Sequence, residues 1–251
     1  MKIKAIFLDM DETLCDTSGA NNKALEALQV KCLSTFGDSF DAQRFTQDYL
    51  SGIYREDSLS LVAELYPKAT SESEYRLMLI EALIGQQGIV VNNFPNIGQT
   101  LQDYFDETRM QLFDFFPGTT DMLTRLRKNY KLTVITNGPT FSQYPKLKSV
   151  DMEKWVDHIL VGGDLVENGK KEKPHPEIFE LALAEAGCLP SEAIHVGDSL
   201  KADIYGANQM GILNVWINPY HPQEKHFEEG HQPFYTIPKI TDLEQILELC
   251  Q

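Results

Sequence analysis

From residue 117 onward, short apolar runs alternate with helical stretches, and that rhythm leaves the chain few ways to fold. "YKLTVITNG" is an apolar run stopped by Asn-Gly, "WVDHILVGG" ends in glycines, and "AIHVGDS" and "ILNVWIN" are two more runs. Between and after them lie helical segments. "TTDMLTRLRKN" carries Met122, Leu123 and Leu126 at helical spacing, and "HPEIFELALAEAG" has Pro176 in its first turn and Gly187 at its close. "KADIYGANQMG" ends at Gly211, and "TDLEQILELC" follows Thr241 or Asp242 as its cap. Pro just inside a helix and Gly just past it have a steric basis. Strands separated by helices predict a parallel sheet with helices on both faces. Residues 3–8, "IKAIFL", read as a strand buried on both faces and join the same set.

Between that first strand and Phe116 lie about 100 residues without a comparable strand signal, too many for a structureless loop inside a compact domain. Their periodicity is helical. Leu25, Leu28, Cys32, Leu33 and Phe36 follow one helical stripe, and Leu101, Tyr104, Phe105, Thr108 and Leu112 another. "SESEYRLMLIEALIGQQG" opens on Ser and Glu and closes on Gly, a helix punctuated at both ends. The predicted organisation is a core of residues 1–16 and 116–251 with a helical domain, 17–115, inserted after the first strand.

Charge narrows the function. The formal net charge of −15 argues against the basic face that nucleic acid or an anionic membrane surface requires. There is no 18-residue apolar run, and the N-terminus enters a strand directly, so neither a membrane span nor a secretory signal is expected. Cys15, Cys32, Cys188 and Cys250 are far apart and form no CxxC pair, which predicts reduced thiols and a cytoplasmic protein. The stretch "YHPQEKHFEEGHQP" is His-rich but reads as an irregular loop, not as a metal site.

The chemistry lies in where the odd residues fall. Asp9 with Asp11, then Thr136-Asn137-Gly138, then Asp198 all follow the carboxyl ends of predicted strands, the edge where ligands bind in such sheets. Lys173, in "KKEKPHP", and Asp203, in the first turn of the next helix, reach the same edge. Taken singly, each is an ordinary turn or cap residue. Turn chemistry does not explain why all of them share one edge. Four carboxylates against one ammonium leave three uncompensated negative charges. A divalent cation removes two, and protonation of Asp11, readying it as an acid, removes the third. Oxygen-only ligands suit Mg²⁺.

This pattern resembles the haloacid dehalogenase superfamily of phosphohydrolases. Its Asp-x-Asp-x-Thr signature matches Asp9, Asp11 and Thr13; its hydroxyl matches Thr136, its lysine Lys173, and its acidic motif Gly197, Asp198 and Asp203. Within it, "TNGPTFSQYPKL", "EKPHPEIF" and "VGDSLKADIYGANQMGI" are most similar to N-acylneuraminate-9-phosphatases, and "DETL" to pyrimidine 5′-nucleotidases. The resemblance implies a Rossmann-like core with the helical insertion as a cap that selects substrate. It also implies a small-molecule phosphate ester as substrate, a sugar phosphate such as acylneuraminate 9-phosphate or else a nucleoside 5′-monophosphate. A phosphomutase or a silent regulator is the weaker alternative.

Roles carry over with the motifs. Asp9 is the implied nucleophile and Asp11 the acid and base. Mg²⁺ is held by Asp9, Asp198 and the backbone carbonyl of Asp11. Thr136, the Asn137 amide and Lys173 hold the phosphoryl oxygens. Asp203 anchors Lys173 or a metal-bound water, and Thr13 orients Asp9 or closes the turn. Residues Cys15 to Asn22 are the candidate hinge and substrate contacts. Two departures are visible: a longer loop before Lys173, "LVENGKKEK", and Pro145 inside the expected helix after Thr136.

Overall fold

The structure, a computed structural model, describes residues 2–219 and 226–250. Six strands form one sheet: β1 (Ala5–Leu8), β2 (Lys131–Thr136), β3 (His158–Val161), β4 (Ala193–Gly197), β5 (Leu213–Ile217) and β6 (Tyr235–Ile237). Their order is β3-β2-β1-β4-β5-β6, and every neighbouring pair is parallel. All four residues of β1 are buried, as a central strand covered on both faces demands. The strand order reverses between β1 and β4, so the crevice at their carboxyl ends is the place where such sheets take ligands.

The chain divides into two compact units, Met1–Ser18 with Phe113–Gln251, and Gly19–Leu112. The second unit is helical: most of α1 (Thr17–Phe36), then α2 (Ala42–Ile53), α3 (Ser60–Leu65), α4 (Glu72–Gln86) and α5 (Ile97–Leu112). Its own core gathers Leu28, Phe45, Tyr49, Tyr75, Leu79, Leu101 and Phe105. Ser71 caps α4 by accepting from the Glu74 N–H. The expected stripes hold except at Leu33 and Leu112, which are exposed.

In the first unit, α6 (Thr119–Leu126), α7 (Thr140–Ser149), α8 (Gly162–Glu167), α9 (Pro176–Ala186), α10 (Tyr205–Gln209) and α11 (Leu243–Leu249) connect and follow the strands. Ala5, Phe7, Ile135, Ile178, Phe179 and Ala207 pack into one core between sheet and helices. Several local expectations need correction. The glycines after β3 open α8 instead of closing a strand, and α8 takes up part of the long loop before Lys173. Pro145 sits inside α7 without ending it. The helix after Ser199 begins as a π turn over Leu200–Ile204. Asp242 occupies the N-cap of α11 but makes no side-chain cap bond. The sequence reading has no β6, because three residues fall short of the run length that signals a strand. Among the described residues no helix is long and apolar enough to cross a membrane, and all four cysteines are free.

Candidate active site

The site starts where β1 ends. The Asp9 N–H continues the ladder by donating to the Val196 carbonyl (2.9 Å), which pins Asp9 at the strand reversal. The chain then turns on itself: the N–H groups of Leu14 and Cys15 both donate to the Met10 carbonyl (3.0 and 2.9 Å). Glu12 takes a left-handed φ of 58° in that turn. Thr13 contributes its backbone N–H, 3.4 Å from the Met10 carbonyl, while its buried hydroxyl has no partner. Its backbone thus lies in the turn, and its hydroxyl makes no bond to Asp9.

Lys173 arrives from the loop before α9. Its Nζ donates to Asp9 Oδ1 (2.6 Å) and Asp203 Oδ1 (2.7 Å), and all three side chains are buried. The loop is held by Asn137, whose side-chain amide donates to the Lys173 carbonyl (2.7 Å) and accepts from the Lys173 N–H (3.0 Å). Glu172 accepts from the Gly138 N–H (3.0 Å). The Asn137 side chain is thus spent on placing Lys173.

Asp203 is bonded on both oxygens. Besides Lys173, His195 Nε2 lies 2.9 Å from its Oδ1 and the Ser199 N–H donates to its Oδ2 (3.0 Å). The π turn brings it back against β4, where Gly197 makes room: a Cβ there would lie 2.2 Å from Asp203 Cγ. Ser199 caps this turn by accepting from the Ala202 N–H, so the serine, and not Asp198, does the capping work expected of a Gly-Asp-Ser. The Trp216 indole donates to the Asp198 carbonyl (2.8 Å) and fixes the Asp198 backbone.

Burial and charge set the proton affinities. Burial raises the Asp9 carboxyl well above its ordinary value, and Asp203, Asp198 and Asp11 add to it against the opposing Lys173. Burial, then Asp203, push Asp198 up to about 7. Burial alone would raise Asp203 too, but Lys173 and His195 outweigh it and hold that carboxyl below its usual range. Lys173 stays firmly protonated, since Asp203 and Asp9 overcome the cost of burial.

Asp9, Asp198 and Asp203 each offer an oxygen, and these atoms lie within 4.8 Å of one another. The donor set is oxygen-only, which suits a hard divalent cation. Asp203 already accepts from three N–H donors, whereas burial, against the opposing Lys173, raises the proton affinity of Asp9 and Asp198. Those two fit a cation best.

Asp11 lies apart from that cluster. Its Oδ1 accepts from Thr17 Oγ1 (2.5 Å) and Lys146 Nζ (2.9 Å), and its Oδ2 from Gln143 Nε2 (2.8 Å). Burial alone would raise its carboxyl, but Lys146, Thr17 and Gln143 lower it. In this structure it is held ionised, not protonated as the charge argument from sequence expects. The cause is Lys146, which that argument omits. Gln143 Nε2 also lies 2.8 Å from Thr136 Oγ1 and against the Asn137 carbonyl, so its two N–H groups are shared among three acceptors.

The structure therefore brings Asp9, Lys173, Asp198 and Asp203 together, and links Asp11 to Thr136. Sequence reasoning misses Lys146, Gln143, His195 and Glu172. The Gln-x-x-Lys spacing on α7 was the one available signal. In the Cys15–Asn22 stretch, Thr17 bonds Asp11 and the Ser18 N–H donates to Glu12 (2.5 Å). Of the His-rich loop, His231 stacks on Tyr205 with centroids 4.7 Å apart, and residues 220–225 lie outside the described residues.

Acids and a lysine converge on the carboxyl edge of a doubly wound parallel sheet, the edge where α/β proteins of this class take their ligands. A family model described as haloacid dehalogenase-like hydrolase matches residues 3–211, and the chain belongs to that family. The glyceraldehyde 3-phosphate phosphatase of Pyrococcus furiosus is 27% identical over 248 residues, covering 98% of this chain and 94% of the relative. The N-acylneuraminate-9-phosphatase of Rattus norvegicus is 26% identical over 248 residues, with the same 98% and 94% coverage. Among solved structures, a hydrolase of this type from Bacillus subtilis, bound to magnesium, matches with a TM-score of 0.67 at 21% identity, over 98% of this chain and 99% of that one.

Proposed function

We propose that the chain is a Mg²⁺-dependent phosphatase of small phosphorylated metabolites, working through an aspartyl phosphate on Asp9. The observation that carries this reading is the separation of two acids only two residues apart: Asp9 sits in the acidic cluster beside Lys173, Asp11 among three donors of its own. Two carboxylates kept in opposed environments are suited to two roles.

In the first step Asp9 attacks phosphorus in line, its Oδ–P bond forming as the ester O–P bond breaks, and Asp11 passes a proton to the departing alkoxide. In the second, Asp11 takes a proton from the water that attacks the phosphorus, and Asp9 leaves as a carboxylate with inorganic phosphate. Asp11 enters the first step protonated because an approaching phosphate dianion raises its proton affinity. Lys173 and the Thr136 hydroxyl hold the phosphoryl oxygens, where charge spreads. Asp203 fixes Lys173. Asp9, Asp198 and the Asp11 main-chain carbonyl would hold the divalent cation, which when bound neutralises phosphoryl charge.

The helical residues 17–115 are assigned the reading of the leaving group. The relatives named above are a glyceraldehyde 3-phosphate phosphatase and an N-acylneuraminate-9-phosphatase, and similarity to both at 26–27% identity supports a phosphorylated sugar or polyol as the substrate class. The four free cysteines suit a reducing compartment such as the cytoplasm. A panel of esters scored by released phosphate, with Mg²⁺ and with a chelator, tests the reading. It contains glyceraldehyde 3-phosphate, acylneuraminate 9-phosphate and nucleoside monophosphates. Release confined to the Mg²⁺ arm supports it; release of none, or release unaffected by chelation, overturns it.

A further inference from the structure

The geometry points to Gln143 as a positioning residue that ties the Asp11 carboxylate to the Thr136 hydroxyl, with Lys146 fixing the carboxylate's other oxygen. The inference rests on the phosphatase reading and adds two side chains that lie outside its motif residues.

Gln143 and Lys146 stand three residues apart on α7, so they share one helix face. Both are buried, at 3% and 6% exposure. A single nitrogen, Gln143 Nε2, lies 2.8 Å from Asp11 Oδ2 and 2.8 Å from Thr136 Oγ1. It spans the group that meets the leaving oxygen and the group that meets the phosphoryl oxygens. Lys146 Nζ then closes on Asp11 Oδ1 (2.9 Å), leaving the carboxylate little freedom to rotate. Proton transfer in the transition state tolerates errors well under an ångström, so a strut between these two groups acts directly on the rate.

Two further observations separate this from packing. Gln143 Oε1 is buried with no partner, while the acceptors around Nε2 all belong to site residues. In addition, Gly138, at φ +108°, gives Gln143 its room, since a Cβ there would lie 3.3 Å from Gln143 Nε2. The second-motif turn and the strut are built to fit each other.

The test compares Gln143→Met, which keeps length but removes the donor, with Gln143→Asn, which withdraws the amide by one methylene. Each variant and the wild type are assayed for kcat/KM on an alkyl phosphate and on p-nitrophenyl phosphate with Mg²⁺. The alkoxide needs a proton to leave and nitrophenolate does not, so a misplaced Asp11 harms the first substrate selectively. The ratio of the two values is independent of how much enzyme is folded, so partial unfolding does not mask the result. The expected outcome is a fall in that ratio of roughly tenfold or more for Gln143→Met and a smaller one for Gln143→Asn, within the range general acid catalysis supplies. An equal loss on both esters, or no loss, overturns the positioning role while the phosphatase reading stands. Failure of the wild type on both esters overturns the reading and this inference with it.

Discussion

The Lys173 ammonium lies 2.6 Å from Asp9 Oδ1, across 164 residues of sequence and in the buried interior of the first unit. A second carboxylate, Asp203, sits 2.7 Å from the same nitrogen. One buried cation therefore compensates two buried anions. Removing it leaves both without their partner in a region of low dielectric. Lys173→Met is expected to cost about 3–5 kcal/mol of stability, the usual result of breaking a buried pair from one side, together with most activity. Urea denaturation without metal measures it. A change below about 1 kcal/mol would mean that the pair is not desolvated.

Metal binding and pH are linked through Asp198. Burial and Asp203 hold its carboxyl at about 7 against an ordinary 3.8. Between those values the folded chain keeps a proton that the unfolded chain has released, so this group makes metal-free stability fall as pH rises from about 4 to about 7. A cation must displace that proton. Mg²⁺ affinity is expected to rise up to about tenfold per pH unit below 7 and to level off above it. Calorimetric titration with Mg²⁺ across that interval checks this. An affinity independent of pH would remove Asp198 from the ligand set.

Gly197 and Gly85 make opposite predictions. A Cβ on Gly197 would collide with Asp203 Cγ at 2.2 Å, and Asp203 has nowhere to retreat. Gly197→Ala should destabilise by about 1–3 kcal/mol through overpacking and displace Asp203 from Lys173, with activity falling further than stability. Gly85 lies in α4 with nothing within 4 Å of a built Cβ. Gly85→Ala should stabilise by about 0.4–1 kcal/mol by narrowing the unfolded ensemble. Thermal unfolding of the two variants decides both; a neutral Gly197→Ala would show that the strand end yields easily.

The sheet is legible in the sequence because β1, β2, β4 and β5 are short, mostly apolar runs set between helical segments, a signal that needs no tertiary context. The edge is legible because acids at the ends of such runs have no place in a core. What escapes has the opposite character. Gln143 and Lys146 are polar residues that local pattern alone places at a surface, and only the packed fold shows them buried. Asp11 reads as an acid awaiting a proton until Lys146 stands beside it. His195 alternates with apolar neighbours in β4 and looks like filler until Asp203 folds back onto it through a π turn that no local pattern announces. β6 is three residues long, and pairing with β5 makes it a strand.

The nucleophilic role of Asp9 has a direct test. Enzyme quenched in acid during turnover is reduced with borohydride, which converts an aspartyl phosphate to homoserine, and the peptide containing residue 9 is examined by mass spectrometry. Homoserine at position 9, dependent on substrate and absent from a folded Asp9→Asn variant that has lost turnover, is the expected result. Homoserine elsewhere, or full turnover by Asp9→Asn, would contradict it.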